Sequence, residues 1–136
     1  MVRRRRRSVP RSGVRDFRKI IVWQKAHALA VSLTGVVEPS RFRVRPGWRS
    51  QLLRSVDAIG ALIAEGAGKS TEAEFGRYLD MAMATAREAE NHLLVARDIG
   101  CLDAPVANRV LDDLDEVKRV LYGYTRAVRP QRHRRG

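Results

Sequence analysis

The sequence predicts an all-α protein, an antiparallel up-and-down four-helix bundle. Three observations carry that expectation. Apolar residues recur at steps of three and four in four successive segments, the period of one helix face. Short breaks containing glycine separate the last three segments, and short connections make neighbouring helices antiparallel. Aromatics are only 6% of the chain while alanine and leucine recur, a balance that favours helix over sheet. With 136 residues, 44% of them hydrophobic, the chain suffices for one domain with a real core.

In chain order, residues 1–15 read as a disordered basic arm, low in complexity and interrupted by Pro10 and Gly13. The first helix is expected over Asp16 to about Val36. Val22, Ala26, Leu29 and Leu33 line one face, which Trp23 and Ala30 broaden. Trp23 reads as a packing anchor, in the core or at a subunit interface, ahead of a base-stacking platform. A connection follows from Gly35 to Gly47, punctuated by Pro39 and Pro46. Arg41, Arg43, Arg45 and Arg49 interleave there with Phe42 and Trp48. Two readings stay open: a solvated loop whose aromatics close the bundle end, or a phosphate-binding patch.

The second helix is expected from about Gly47 to Glu65, with Leu52, Val56, Ile59 and Ile63 facing inward. Gly60 lies inside it, and close packing of a neighbouring helix accounts for so poor a helix former. Gly66 and Gly68 are expected to end the helix in left-handed backbone. Thr71 then caps a third helix reaching Asp98, with Glu74 as capping-box partner. Phe75, Leu79, Ala82, Ala86, Ala89 and Leu93 continue the seam. Gly100 stops that helix, Asp103 is the expected cap of the fourth, and Pro105 suits its first turn. Val106, Val110, Leu114, Val117, Leu121 and Tyr124 form the last seam. Asp112, Asp113, Asp115 and Glu116 load its outer side with negative charge. The bundle is thus placed at 16–126, and 127–136 reads as a second disordered basic tail.

Charge is concentrated at the ends. The net charge is +12. Arg3, Arg4, Arg5, Arg6, Arg7, Arg11 and Arg15 lie in the first 15 residues; Arg126, Arg129, Arg132, Arg134 and Arg135 lie in the last 11. Neither segment contains an acid, and the 15 remaining basic residues balance 15 acidic ones. Dense arginine attracts phosphate without needing a fold, so the arms read either as nucleic-acid contacts or as solubilising ends.

Several chemistries find no support. Cys101 is the only cysteine, which excludes an intramolecular disulfide and a cysteine-rich metal site. Glu88, Glu90 and His92 lack the Glu-x-x-His pairs of a di-iron bundle. Gly66-Ala67-Gly68-Lys69-Ser70 has neither the spacing nor the preceding strand of a phosphate loop. No Ser-His-Asp, Cys-His or paired-acid arrangement is evident. The expectation is no catalytic residue, no metal and no cofactor. No apolar run approaches the roughly 20 residues of a membrane span, and no apolar segment follows the basic N-terminus. A cytoplasmic location is expected.

Val22-Trp23-Gln24-Lys25-Ala26, Gln51-Leu52, Ile63-Ala64-Glu65-Gly66, Glu74-Phe75 and Arg77-Tyr78-Leu79 follow one another in a recognisable order. Over roughly residues 16–126 the chain resembles the four-helix-bundle proteins encoded by 23S rRNA intervening sequences. It also looks similar to the accessory variability proteins of diversity-generating retroelements. The resemblance implies a homopentameric ring. Its retroelement branch implies association with a reverse transcriptase and nucleic acid. The expected function is a non-enzymatic oligomeric nucleic-acid-binding protein, with RNA favoured over DNA. Its expected contacts are the arm arginines and the Arg41, Arg43, Arg45 and Arg49 loop, with Trp23 at the subunit interface. The alternative is a structural or protein-interaction module, including a retroelement accessory protein that binds a reverse transcriptase.

Overall fold

The structure, a computed structural model, describes residues 15–129. Asp16 decides where the first helix starts. Its carboxylate accepts the Arg18 N–H at 3.1 Å and caps a short 3₁₀ turn, Phe17–Lys19. The backbone is extended at Ile20, so helix α1 runs Ile21–Thr34 and not from Asp16. A second 3₁₀ turn, Pro39–Phe42, lies in the connection that follows. Gly47, at φ 83°, turns the chain into α2, Trp48–Ala67.

Helix α3 spans Glu72–Asp98. Thr71 caps it, its hydroxyl accepting the Glu74 N–H at 3.1 Å. The Glu74 carboxylate sits 3.8 Å from Arg77, an ion pair on its own helix. At the other end Gly100 adopts φ 84°. The Cys101 N–H then reaches the Ala96 carbonyl and the Gly100 N–H that of Arg97, which closes the helix. Helix α4 follows as Ala104–Val128. Asp103 precedes it as expected, but its side chain makes no capping bond; it pairs with Arg41 at 2.9 Å.

The four apolar faces meet in one core. Val22, Ala26, Leu29 and Leu33 of α1 are buried, as are Leu52, Val56, Ile59 and Ile63 of α2. So are Phe75, Leu79, Ala82, Ala86, Ala89 and Leu93 of α3, and Val110, Leu114, Val117 and Leu121 of α4. Each fully buried leucine or isoleucine is worth about 1.5–3 kcal/mol relative to exposure. The helices pack in a closed cycle: α1 on α2, α2 on α3, α3 on α4, and α4 back on α1. Trp48 at the start of α2 meets His92 late in α3, while Gly66 at the end of α2 meets Phe75 and Tyr78 early in α3. Those two pairs fix the helices as antiparallel.

Of the glycines inside α2, Gly66 serves close approach, whereas a Cβ on Gly60 would make ordinary contact. A Cβ on Gly60 would lie 3.4 Å from the Trp23 indole nitrogen of α1. A Cβ on Gly66 would lie 2.6 Å from the Tyr78 Cβ, a distance that side chains never accept. Gly66 is itself helical and Gly68 has φ −88°, so neither is left-handed. The left-handed role expected of this pair falls instead to Gly47 and Gly100. Among the described residues there is no strand, and no helix is long and apolar enough to cross a membrane.

Candidate nucleic-acid interface

The N-terminus of α1, the C-terminus of α2, the N-terminus of α3 and the C-terminus of α4 share one end of the bundle. Arg15 is half-buried there. Its Nη1 donates to the Ala67 and Lys69 carbonyls, each at 3.1 Å. That places a cation on the negative end of α2. The same guanidinium lies 4.6 Å from the centre of the Phe75 ring. Arg129 closes the chain's other end on α3. Its Nη2 donates to the Gly76 carbonyl at 3.1 Å and to Asp80 Oδ2 at 2.6 Å. Gly76 admits it, since a Cβ there would come within 3.3 Å of the guanidinium.

Phe75 connects the two clamps. Its ring meets Tyr124 edge-on at 6.0 Å between centroids. Burial raises the Tyr124 hydroxyl above its ordinary pKa, with nearby Arg15 acting in the opposite direction and Glu72 adding to the rise. Arg15 and Arg129 are therefore the roots of the two basic segments, with their donors directed into the bundle. Helix α4 itself continues two residues beyond Arg126. Arg3, Arg4, Arg5, Arg6, Arg7, Arg11, Arg132, Arg134 and Arg135 lie outside the described residues.

The arginines of the first connection sit at the opposite end of the bundle, about 40 Å away by the 27-residue length of α3. Most of them work inside the fold. Arg41 donates to the Gly100 carbonyl at 2.8 Å and pairs with Asp103, tying this connection to the α3–α4 turn. Arg49 donates to the Val37 carbonyl at 3.0 Å. Arg45 lies over the Trp48 ring at 4.0 Å. Arg43 is exposed and makes no hydrogen bond or ion pair with a described residue. Phe42 and Trp48 are buried, which supports the reading of aromatics that close the bundle end. The structure does not bring this loop together with the roots of the arms.

Other singled-out residues resolve as packing. Trp23 is half-buried, edge-on to Phe17 at 5.1 Å and stacked on His27 at 4.7 Å. Cys101 is buried. Glu90 pairs with Lys118 of α4 at 2.6 Å. Lys69 lies over the Tyr78 ring at 4.9 Å. Sequence reading passed over one feature, the outer face of α4 at the arm end. Arg119, Tyr122, Arg126 and Arg129 follow at steps of three, four and three, and all four are exposed. The spacing is present in the sequence, on the face of α4 opposite the inward seam that ends at Tyr124.

The fold is a four-helix bundle with Arg15 and Arg129, the first and last described residues, at the same end. The chain belongs to the 23S rRNA-intervening sequence protein family, whose model matches residues 18–123. No curated protein matches it. The matched range begins after Arg15 and stops before Arg126, so both arginine-rich segments lie beyond it.

Proposed function

We propose that this protein is a non-enzymatic, oligomeric, cytoplasmic nucleic-acid-binding protein that takes RNA in preference to DNA through its arginine-rich ends. The observation that supports this is the common root of the two ends. Arg15 and Arg129 both fasten around the start of α3. The arginines of residues 1–14 and 130–136 are therefore attached at one end of the bundle and act on one polymer together. In intact protein, affinity for RNA falls about a thousandfold between roughly 50 and 200 mM salt if six arginines reach phosphate. Fluorescence anisotropy across a salt series reads this directly. No binding at low salt rejects the proposal.

The oligomer is proposed as a pentamer, from the resemblance. Five copies bring ten basic segments onto one particle, and repeated weak phosphate contacts gain from high effective concentration. Trp23, half-buried in the single chain, is placed between subunits. Light scattering at moderately high salt decides it: a stable monomer rejects assembly, and a discrete dimer or tetramer rejects only the pentamer. Exposed Ile21 and Val31 on α1 favour a second reading. In it the bundle is a protein-interaction module, in its narrow form a retroelement accessory protein that binds a reverse transcriptase. Retention of an arm-less bundle on a purified reverse transcriptase encoded beside it tests that reading, and no retention rejects the narrow form.

A further inference from the structure

The outer face of α4 has a feature that the arms do not explain. Tyr122 is 59% exposed, and among the described residues no other Phe, Trp or Tyr ring is exposed; the exposed His27 imidazole is already stacked on Trp23. Phe42, Phe75 and Trp48 are buried, and Phe17, Trp23, Tyr78 and Tyr124 are partly buried against neighbours. Tyr122 instead stands in a row of arginines. Arg119 precedes it by three residues, Arg126 follows by four, and Arg129 by seven. At 3.6 residues per turn Arg119, Tyr122 and Arg126 share one stripe of α4. Arg129, just past the helix end, turns its guanidinium onto Gly76 and Asp80 of α3. Arg119 is turned toward the start of the helix, where it pairs with Asp115 and Glu116. Arg126 is turned toward Tyr122. Its Nη1 donates to the Tyr122 hydroxyl at 3.4 Å, and its guanidinium is 5.7 Å from the ring centre. Beyond Glu116 this stripe carries no acid.

We infer that this stripe is a stacking site for an unpaired base, so that the protein prefers single-stranded RNA over duplex. This rests on the nucleic-acid reading above and adds to it the class of RNA. Arginines alone attract any phosphate chain, duplex or single-stranded. An exposed ring among them adds something a duplex cannot use, because paired bases are already stacked within the helix. An unpaired base lies on the Tyr122 face while the Arg126 guanidinium beside it holds a flanking phosphate. Stacking of this kind tolerates any base, so the preference is for strandedness and not for sequence.

The test uses full-length protein, a short unstructured labelled RNA, and the blunt duplex formed with its complement. Tyr122→Ala lowers affinity for the single strand about tenfold and leaves duplex affinity unchanged. The salt dependence keeps its slope, since no phosphate contact is lost. Tyr122→Phe restores the single-strand affinity, because the ring and not the hydroxyl does the stacking. Tyr122 is exposed, so circular dichroism and light scattering should report an unchanged helical assembly. Equal loss for single strand and duplex overturns the proposal, as does no loss at all. A change of oligomeric state in Tyr122→Ala also overturns it, by assigning the ring to a subunit contact. If deletion of residues 130–136 abolishes binding while Tyr122→Ala changes nothing, the arms stand and the stacking site falls. If full-length protein binds neither RNA at low salt, both fall together.

Discussion

Removing residues 1–14 and 130–136 leaves a folded, assembled bundle whose affinity for RNA at low salt is lower by at least about a hundredfold. The deletion takes away nine arginines and no acid. The slope of affinity against salt falls by about one for each phosphate contact removed. The cut is placed to spare Arg15 and Arg129. Arg15 caps the C-terminal carbonyls of α2 from a half-buried position, and hydrogen bonds from a charged donor contribute about 1.5–3 kcal/mol at full burial and less here. Arg129 and Asp80 are both substantially exposed, so that pair adds at most about 1 kcal/mol. A cut that also removes these two confounds lost binding with lost stability.

The opposite end supplies the control. Arg43→Ala with Arg45→Ala changes RNA affinity by less than about tenfold, since those side chains sit a helix length from the roots of the arms. Urea unfolding, light scattering and anisotropy on the same preparations separate the outcomes. Unchanged affinity in the truncated bundle rejects the arms and moves the search to the folded surface. A large loss from the Arg43 and Arg45 pair places RNA across the closed end of the bundle instead.

The contrast between these two clusters marks the limit of what the sequence discloses. Periodicity alone identified the inner faces of α2 and α3, because a buried stripe must recur every 3.6 residues whatever packs on it. Thr71 was legible as a cap because a cap bonds to its own helix, three residues away. Partners far along the chain were not legible. Asp103 has the composition of a cap, yet Arg41, 62 residues earlier, takes its carboxylate. Gly66 was read for its backbone freedom; its need is for space, and only the position of Tyr78 reveals that. Arg15 and Arg129 resemble their neighbours in charge. What sets them apart is the carbonyls of α2 and α3 that they reach across more than 50 residues. The Tyr122 stripe is the reverse case, local and periodic, and open to the same reasoning that found the core.

Phe75→Ala should be the most damaging single substitution at the arm end, lowering the free energy of unfolding by about 3–5 kcal/mol. Phe75 is 1% exposed and sits where three elements converge. It packs against the bare backbone of Gly66, under the Arg15 guanidinium, and beside Tyr124. Truncation removes the ring from water-free surroundings and leaves a void that α2 cannot fill, because the Tyr78 Cβ already limits how closely Gly66 approaches. Tyr124 loses an edge contact worth about 0.5–1.5 kcal/mol beyond burial. A bundle with only about 5–15 kcal/mol of total stability feels this strongly. Phe75→Leu, which keeps most of the volume, should cost less than half as much. Urea titration followed by circular dichroism gives both values. The folded fraction of Phe75→Ala should still bind RNA through its arms, since phosphate contacts do not require a rigid root. A loss below about 1 kcal/mol would mean that the arm end is held by its arginine clamps and not by this ring.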